Sequence, residues 1–81
     1  MKKLFYLMRA HIRIIALDDF KGGIDDYTRA IEINPEYAAA YYNRGSVKIV
    51  LGQKDSARMD LIKAGELGIP MAYEAIKRYC Q

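Results

Sequence analysis

The 81-residue chain has one cysteine, one histidine and two prolines. A lone thiol, Cys80, cannot close an internal disulfide, which excludes a disulfide scaffold and points to a cytoplasmic protein. Cys80 itself reads as a small buried hydrophobe near a helix end. One histidine and one cysteine leave no metal-ligand set and no nucleophile–histidine–carboxylate arrangement, so no catalytic residue, metal or cofactor is expected. Neither Gly22-Gly23 nor the stretch LGQK has the spacing of a phosphate loop. The charge excess is small, 13 basic against 10 acidic residues, and scattered. Without a basic stripe or a reader motif, nucleic acid is not an expected partner. Long apolar runs are missing too. After Lys2-Lys3, the run LFYLM is broken by Arg9, His11 and Arg13. That is short of the about 7–15 residues of a signal core and the about 18–20 of a membrane span. β-branched alternation is absent, which argues against strands.

What remains is a folded composition, 52% hydrophobic and 28% charged. The length allows one domain, residues 1–81, burying about 60–65% of its unfolded surface. Gly22-Gly23, Asn34-Pro35, Gly52, and Gly68 with Pro70 are the boundaries. They predict an all-α protein of five helices, over about residues 3–17, 21–33, 36–51, 54–67 and 70–80. Pro35 stops the second helix, Gly52 caps the third, and Pro70 suits the first turn of the fifth. Asp55 sits near the start of the fourth. The pairs Asp18-Asp19 and Asp25-Asp26 are read as carboxylates suiting the start of the second helix rather than as chemistry.

Offsetting the chain by 34 residues places Leu17 on Leu51, Asp26 on Asp60, Ala30 on Ala64 and Glu32 on Glu66. The same offset places Ile15 on Ile49, Tyr27 on Leu61 and Gly23 on Ala57. A repeat of 34 is that of tetratricopeptide helix pairs. Residues 20–35, FKGGIDDYTRAIEINP, with Leu17, Phe20, Tyr27, Ala30 and Pro35, resemble the signature of that family. So do AYYNRG, the pair LG at 51–52, Ala57 and Ala64. The resemblance implies antiparallel helix pairs stacked as a short right-handed solenoid. The repeats fall at about residues 3–35 and 36–68, with a capping helix at about 70–80. It also implies a non-catalytic protein-interaction module whose first helices line a concave groove. Several positions depart from the family pattern. His11 falls on the position of Gly45, Asp18 on that of Gly52, and Gly23 where alanine is usual. Lys48 and Lys54 replace aromatics. Aligning AAY at 39–41 with MAY at 71–73 puts Lys77 on the small-residue position of Gly45, so no full repeat is expected to follow.

By position, the groove candidates are Phe5, Met8, Arg9, Ile12 and Arg13 on the first helix, and Ala39, Tyr42, Asn43, Ser46 and Ile49 on the third. Tyr41 and Tyr42 point about 100° apart. Tyr41 is expected in the core and Tyr42 in the groove. Arg9 and Arg13 share a face, either solvated or open to an acidic peptide. Asn43 falls where some family members clamp a C-terminal carboxylate, but the matching first-helix positions, Met8 and Ile12, carry no charge. A hydrogen bond from Asn43 to a neighbouring helix is the competing reading. The first helix is apolar around most of its circumference, which suggests a docking face for another protein or a second copy. The expected partner is therefore a protein or peptide, with homo-oligomerisation through the first helix as the alternative.

Overall fold

The chain is helical wherever Ala, Leu, Ile, Lys, Arg and Glu dominate, and turns where Gly, Pro, Asn and Asp cluster. A computed structural model describes residues 2–80. Five helices follow one another: α1 Lys2–Leu17, α2 Phe20–Ile33, α3 Ala38–Val50, α4 Lys54–Glu66 and α5 Met71–Tyr79. No strand occurs among the described residues. Turns of two or three residues fold α2 back on α1 and α4 back on α3, and these two pairs share the most extensive contacts. α3 then leans on α2, and α5 on α4.

The turns explain where the helices end. Asp18, Gly52 and Gly68 adopt positive φ of 52°, 78° and 110°. Asp tolerates this conformation better than most residues with a side chain, and glycine adopts it freely. Asp19 caps α2, its Oδ1 accepting from the Gly22 amide at 2.9 Å. α3 begins at Ala38, two residues later than the sequence suggests. Asn34 and Pro35 open a tight turn in which Asn34 Oδ1 accepts from the Glu36 amide.

The core is built in two layers. Ala10, Tyr27, Ala30, Ala40 and Val47 form one. Ala57, Leu61, Ala64, Ala72 and Cys80 form the other. Alanines dominate both, which lets helix backbones approach closely, while Tyr27 and Leu61 fill the centre of each layer. Gly45 marks a close approach of α3 to α4. A Cβ there would lie 3.0 Å from Leu61 Cγ and 3.2 Å from the Ala57 carbonyl oxygen. Cys80 is buried, as its composition suggests.

Each pair is also held by a buried carboxylate. Arg9 donates to Asp26 through Nε at 3.0 Å and Nη2 at 2.8 Å, with Arg13 Nε at 3.4 Å. Arg44 donates to Asp60 through Nε at 2.8 Å and Nη2 at 2.7 Å, with Lys48 Nζ at 2.9 Å. Asp26 is 1% exposed. The reading of Asp26 as a helix-start carboxylate is therefore corrected. It sits two turns into α2 and neutralises α1. Hydrogen bonding to these carboxylates holds the guanidiniums of Arg9 and Arg44 above their ordinary pKa.

The same residues correct the register. Arg9 to Arg44 and Arg13 to Lys48 are each 35 apart, whereas Asp26 to Asp60 is 34. Ala10, not His11, is thus the counterpart of Gly45. The extra residue lies in the last turn of α1. There the Asp19 amide reaches back six residues to the Arg13 carbonyl, whereas the Gln53 amide reaches five, to Lys48.

Two outcomes test this account. Asp60→Ala should cost about 3 kcal/mol in urea denaturation, because Arg44 and Lys48 are left unpaired while largely buried. Asp26→Ala should cost less, since the side chains of Arg9 and Arg13 are 39% and 34% exposed and can turn to water. The reverse order would contradict it. Burial also pushes the Tyr27 phenol up to about 12, against about 10 when unfolded. The stability this represents is intact below pH about 10 and lost as pH rises through about 12. Alkaline melts should show that slope in the parent chain and not in Tyr27→Phe.

Candidate partner-binding face

Side chains that face neither the paired helix nor the preceding one are those open to a partner. On α3, Arg44, Gly45 and Lys48 face α4, and Ala40 and Val47 join the layer formed with α2. Ala39, Tyr42, Asn43, Ser46 and Val50 remain. In the 35-residue register their α1 counterparts are Leu4, Leu7, Met8, His11 and Ile15. Leu7 packs into the core, while Leu4, Met8 and Ile15 are exposed. Phe5 and Ile12, expected in the groove, instead correspond to Ala40 and Val47. They occupy the face that α3 turns toward its preceding helix.

The polar candidates are engaged within the chain. Asn43 Nδ2 lies 3.2 Å from His11 Nε2, joining α3 to α1. The His11 ring stands edge-on to Tyr27, centroids 5.8 Å apart. Ser46 Oγ donates to the Tyr42 carbonyl at 2.9 Å. Arg9 and Arg13 turn to Asp26 and do not form a free cationic face. Ile49 packs against the second core layer. Tyr41 and Tyr42 both pack against the second core layer, so the two are not divided between core and groove as expected, and the Tyr41 hydroxyl donates to the Pro35 carbonyl at 3.0 Å.

Tyr42 has a second environment that the sequence reading missed. With Met71, Glu74, Ala75, Arg78 and Tyr79 of α5 it lines an open cavity of about 360 Å³. The signal was present in the alignment of AAY with MAY. Extended by the same 32-residue offset, it places Met71, Glu74, Ala75 and Arg78 on Ala39, Tyr42, Asn43 and Ser46. α5 therefore continues the face made by α1 and α3. Chemically the face offers apolar area, one aromatic wall, an amide and one Glu–Arg pair a helical turn apart. Those are groups that grip a side chain and orient a backbone. Among the described residues, no group of three or more His, Cys, Asp or Glu side chains could hold a metal ion. No described helix is long and apolar enough to cross a membrane.

Comparisons agree with this architecture. A family model described as "TPR repeat" matches residues 15–49, and one described as "Tetratricopeptide repeat" matches residues 38–67. The chain is 41% identical over 49 residues to a tetratricopeptide repeat protein 36 homolog of Nematostella vectensis. That match covers 60% of this chain and 27% of the relative. No solved structure matches.

The Asn43–His11 contact has a spectroscopic consequence. If the amide donates, neutral His11 must carry its proton on Nδ1 and leave Nε2 as acceptor. Long-range proton–nitrogen spectra should report that tautomer. In Asn43→Ala the spectra should move toward a mixture. An Nε2–H tautomer in the parent chain would show that the contact runs the other way.

Proposed function

Because the chain belongs to the tetratricopeptide repeat family, we propose that it is a non-catalytic module that binds a peptide or partner protein on the face lined by α1, α3 and α5. The observation that carries this reading is the cavity between Tyr42 and α5, beside the polar pair Glu74 and Arg78. An apolar side chain of the partner enters against Tyr42, Met71 and Tyr79. Glu74 and Arg78, exposed at the rim, choose its flanking charges and set its direction. Ser46 and Asn43 extend the contact toward α1. Because α1 and α3 contain no acidic residue and four of their cations are held by Asp26 and Asp60, the face reads shape and apolar area more than charge.

A pull-down with the intact chain, compared with Met71→Ala/Arg78→Ala, tests this reading. Both residues are exposed, so melting should be unchanged while retention of the partner falls by about tenfold or more. Met59→Ala, on the exposed face of α4, should change neither. Undiminished capture by the double variant would move the working surface away from α5.

A further inference from the structure

We propose that two copies of this chain pair antiparallel through α1. α3 buries Ala40 and Val47 in the layer it forms with α2. Their α1 counterparts, Phe5 and Ile12, are 55% and 59% exposed. α5 repeats the α3 arrangement by burying Ala72 in the layer formed with α4. α1 thus exposes two positions that α3 buries, and no other helix covers them among the described residues, the Arg9 guanidinium lying 5.2 Å from the Phe5 ring centroid.

The pattern on that face identifies its occupant. Phe5, Met8, Ile12 and Ile15, all more than half exposed, follow one another by three, four and three residues. That spacing forms a single seam of the kind that pairs helices. It is also symmetric about residue 10. When two such helices run antiparallel, Phe5 meets Ile15 of the second copy, and Met8 meets Ile12 of the second copy. Both contacts then recur through the two-fold axis, as an isologous interface requires.

The charges select the same register. It sets Lys2 opposite Asp18 of the second copy. Asp18 is exposed just beyond the end of α1. α1 opens with Lys2 and Lys3, has no acidic residue in its first turn and no basic residue in its last. Within one copy that order opposes the helix dipole; beside an antiparallel neighbour it becomes attractive. Parallel pairing would bring Lys2 and Lys3 against themselves and Asp18 against itself. Arg9 and Arg13 do not oppose association, because Asp26 lies beneath them. Lys2, Lys3, Arg9 and Arg13 against Asp18, Asp19 and Asp26 leave one net positive charge on this part of each copy.

A seam on helices about 24 Å long is smaller than a standard interface, so the dimer is a reversible one. It rests on α1 alone and leaves the cavity beside Tyr42 open, so this pairing and the groove reading fail separately.

Sedimentation velocity from about 10 µM to 1 mM should show the mass rising from one chain toward two. Met8→Lys/Ile12→Lys should stay at one chain with unchanged helical circular dichroism. Cross-linking reads the register. Phe5→Cys mixed with Ile15→Cys should form a mixed disulfide, and neither variant alone should cross-link comparably, while buried Cys80 stays unreactive. A single-chain mass at every concentration would overturn the pairing, as would a dimer unaffected by the two lysines. A dimer in which Phe5→Cys alone cross-links as fast as the mixture would overturn the antiparallel register.

Discussion

The buried carboxylate on the second helix of each pair is the constraint from which the rest of the structure follows. Asp26 and Asp60 are nearly inaccessible, and each is straddled by two cations one helical turn apart on the first helix. The cores beside them are lined mainly by alanine, and such smooth surfaces discriminate weakly between neighbouring axial positions. A bidentate guanidinium–carboxylate bond does discriminate, because a shift of one residue would strand a charge in the interior. Arg44 extends the restraint between pairs, since its Nη1 also donates to Thr28 Oγ1 of α2 at 3.1 Å. One side chain therefore ties α2, α3 and α4 into a single register.

This constraint separates what was legible in the chain from what was not. Helix number, the turns at Pro35 and Gly52, and the small positions Ala30, Ala57 and Ala64 depend on local propensity and spacing, and they read directly from the residues. The role of Asp26 did not. Its partner Arg9 lies 17 residues away, while the helix-start explanation looks only at neighbours. The α1 register was hidden for a related reason. The 34-residue offset holds across the turn and α2, so it pulled Leu17 onto Leu51 and His11 onto Gly45. The additional residue is absorbed in the last turn of α1, where the chain passes through Asp18 with positive φ. Matching Arg9 to Arg44 and Arg13 to Lys48 would have revealed it.

The same ion pairs determine what the exposed face is made of. All the charge on α1 and α3 is positive, yet Arg9, Arg13, Arg44 and Lys48 point toward the second helices. The face left over is apolar on α1, mixed on α3 and charged on α5, where Glu74 and Arg78 stand at the cavity rim. A partner therefore meets a gradient of polarity along three helices rather than one charged patch. Of the residues first singled out by position, Tyr42 lies at the junction where that gradient turns polar.

The two ends of the stack differ in a way that bears on assembly. α5 exposes Glu74, Lys77 and Arg78 among Met71, Tyr73 and Tyr79, a mixed surface rather than an apolar seam. The outward side of α1 carries Phe5, Met8 and Ile12. A head-to-tail contact would place those apolar side chains among the exposed charges of α5, desolvating charges without pairing them. Such a contact would also propagate without closing. α1 against α1 is self-complementary in both its apolar seam and its terminal charges, and an isologous contact stops at two copies. The proposed pairing through α1 sets apolar surface on apolar surface, which the exposed charges of α5 do not offer.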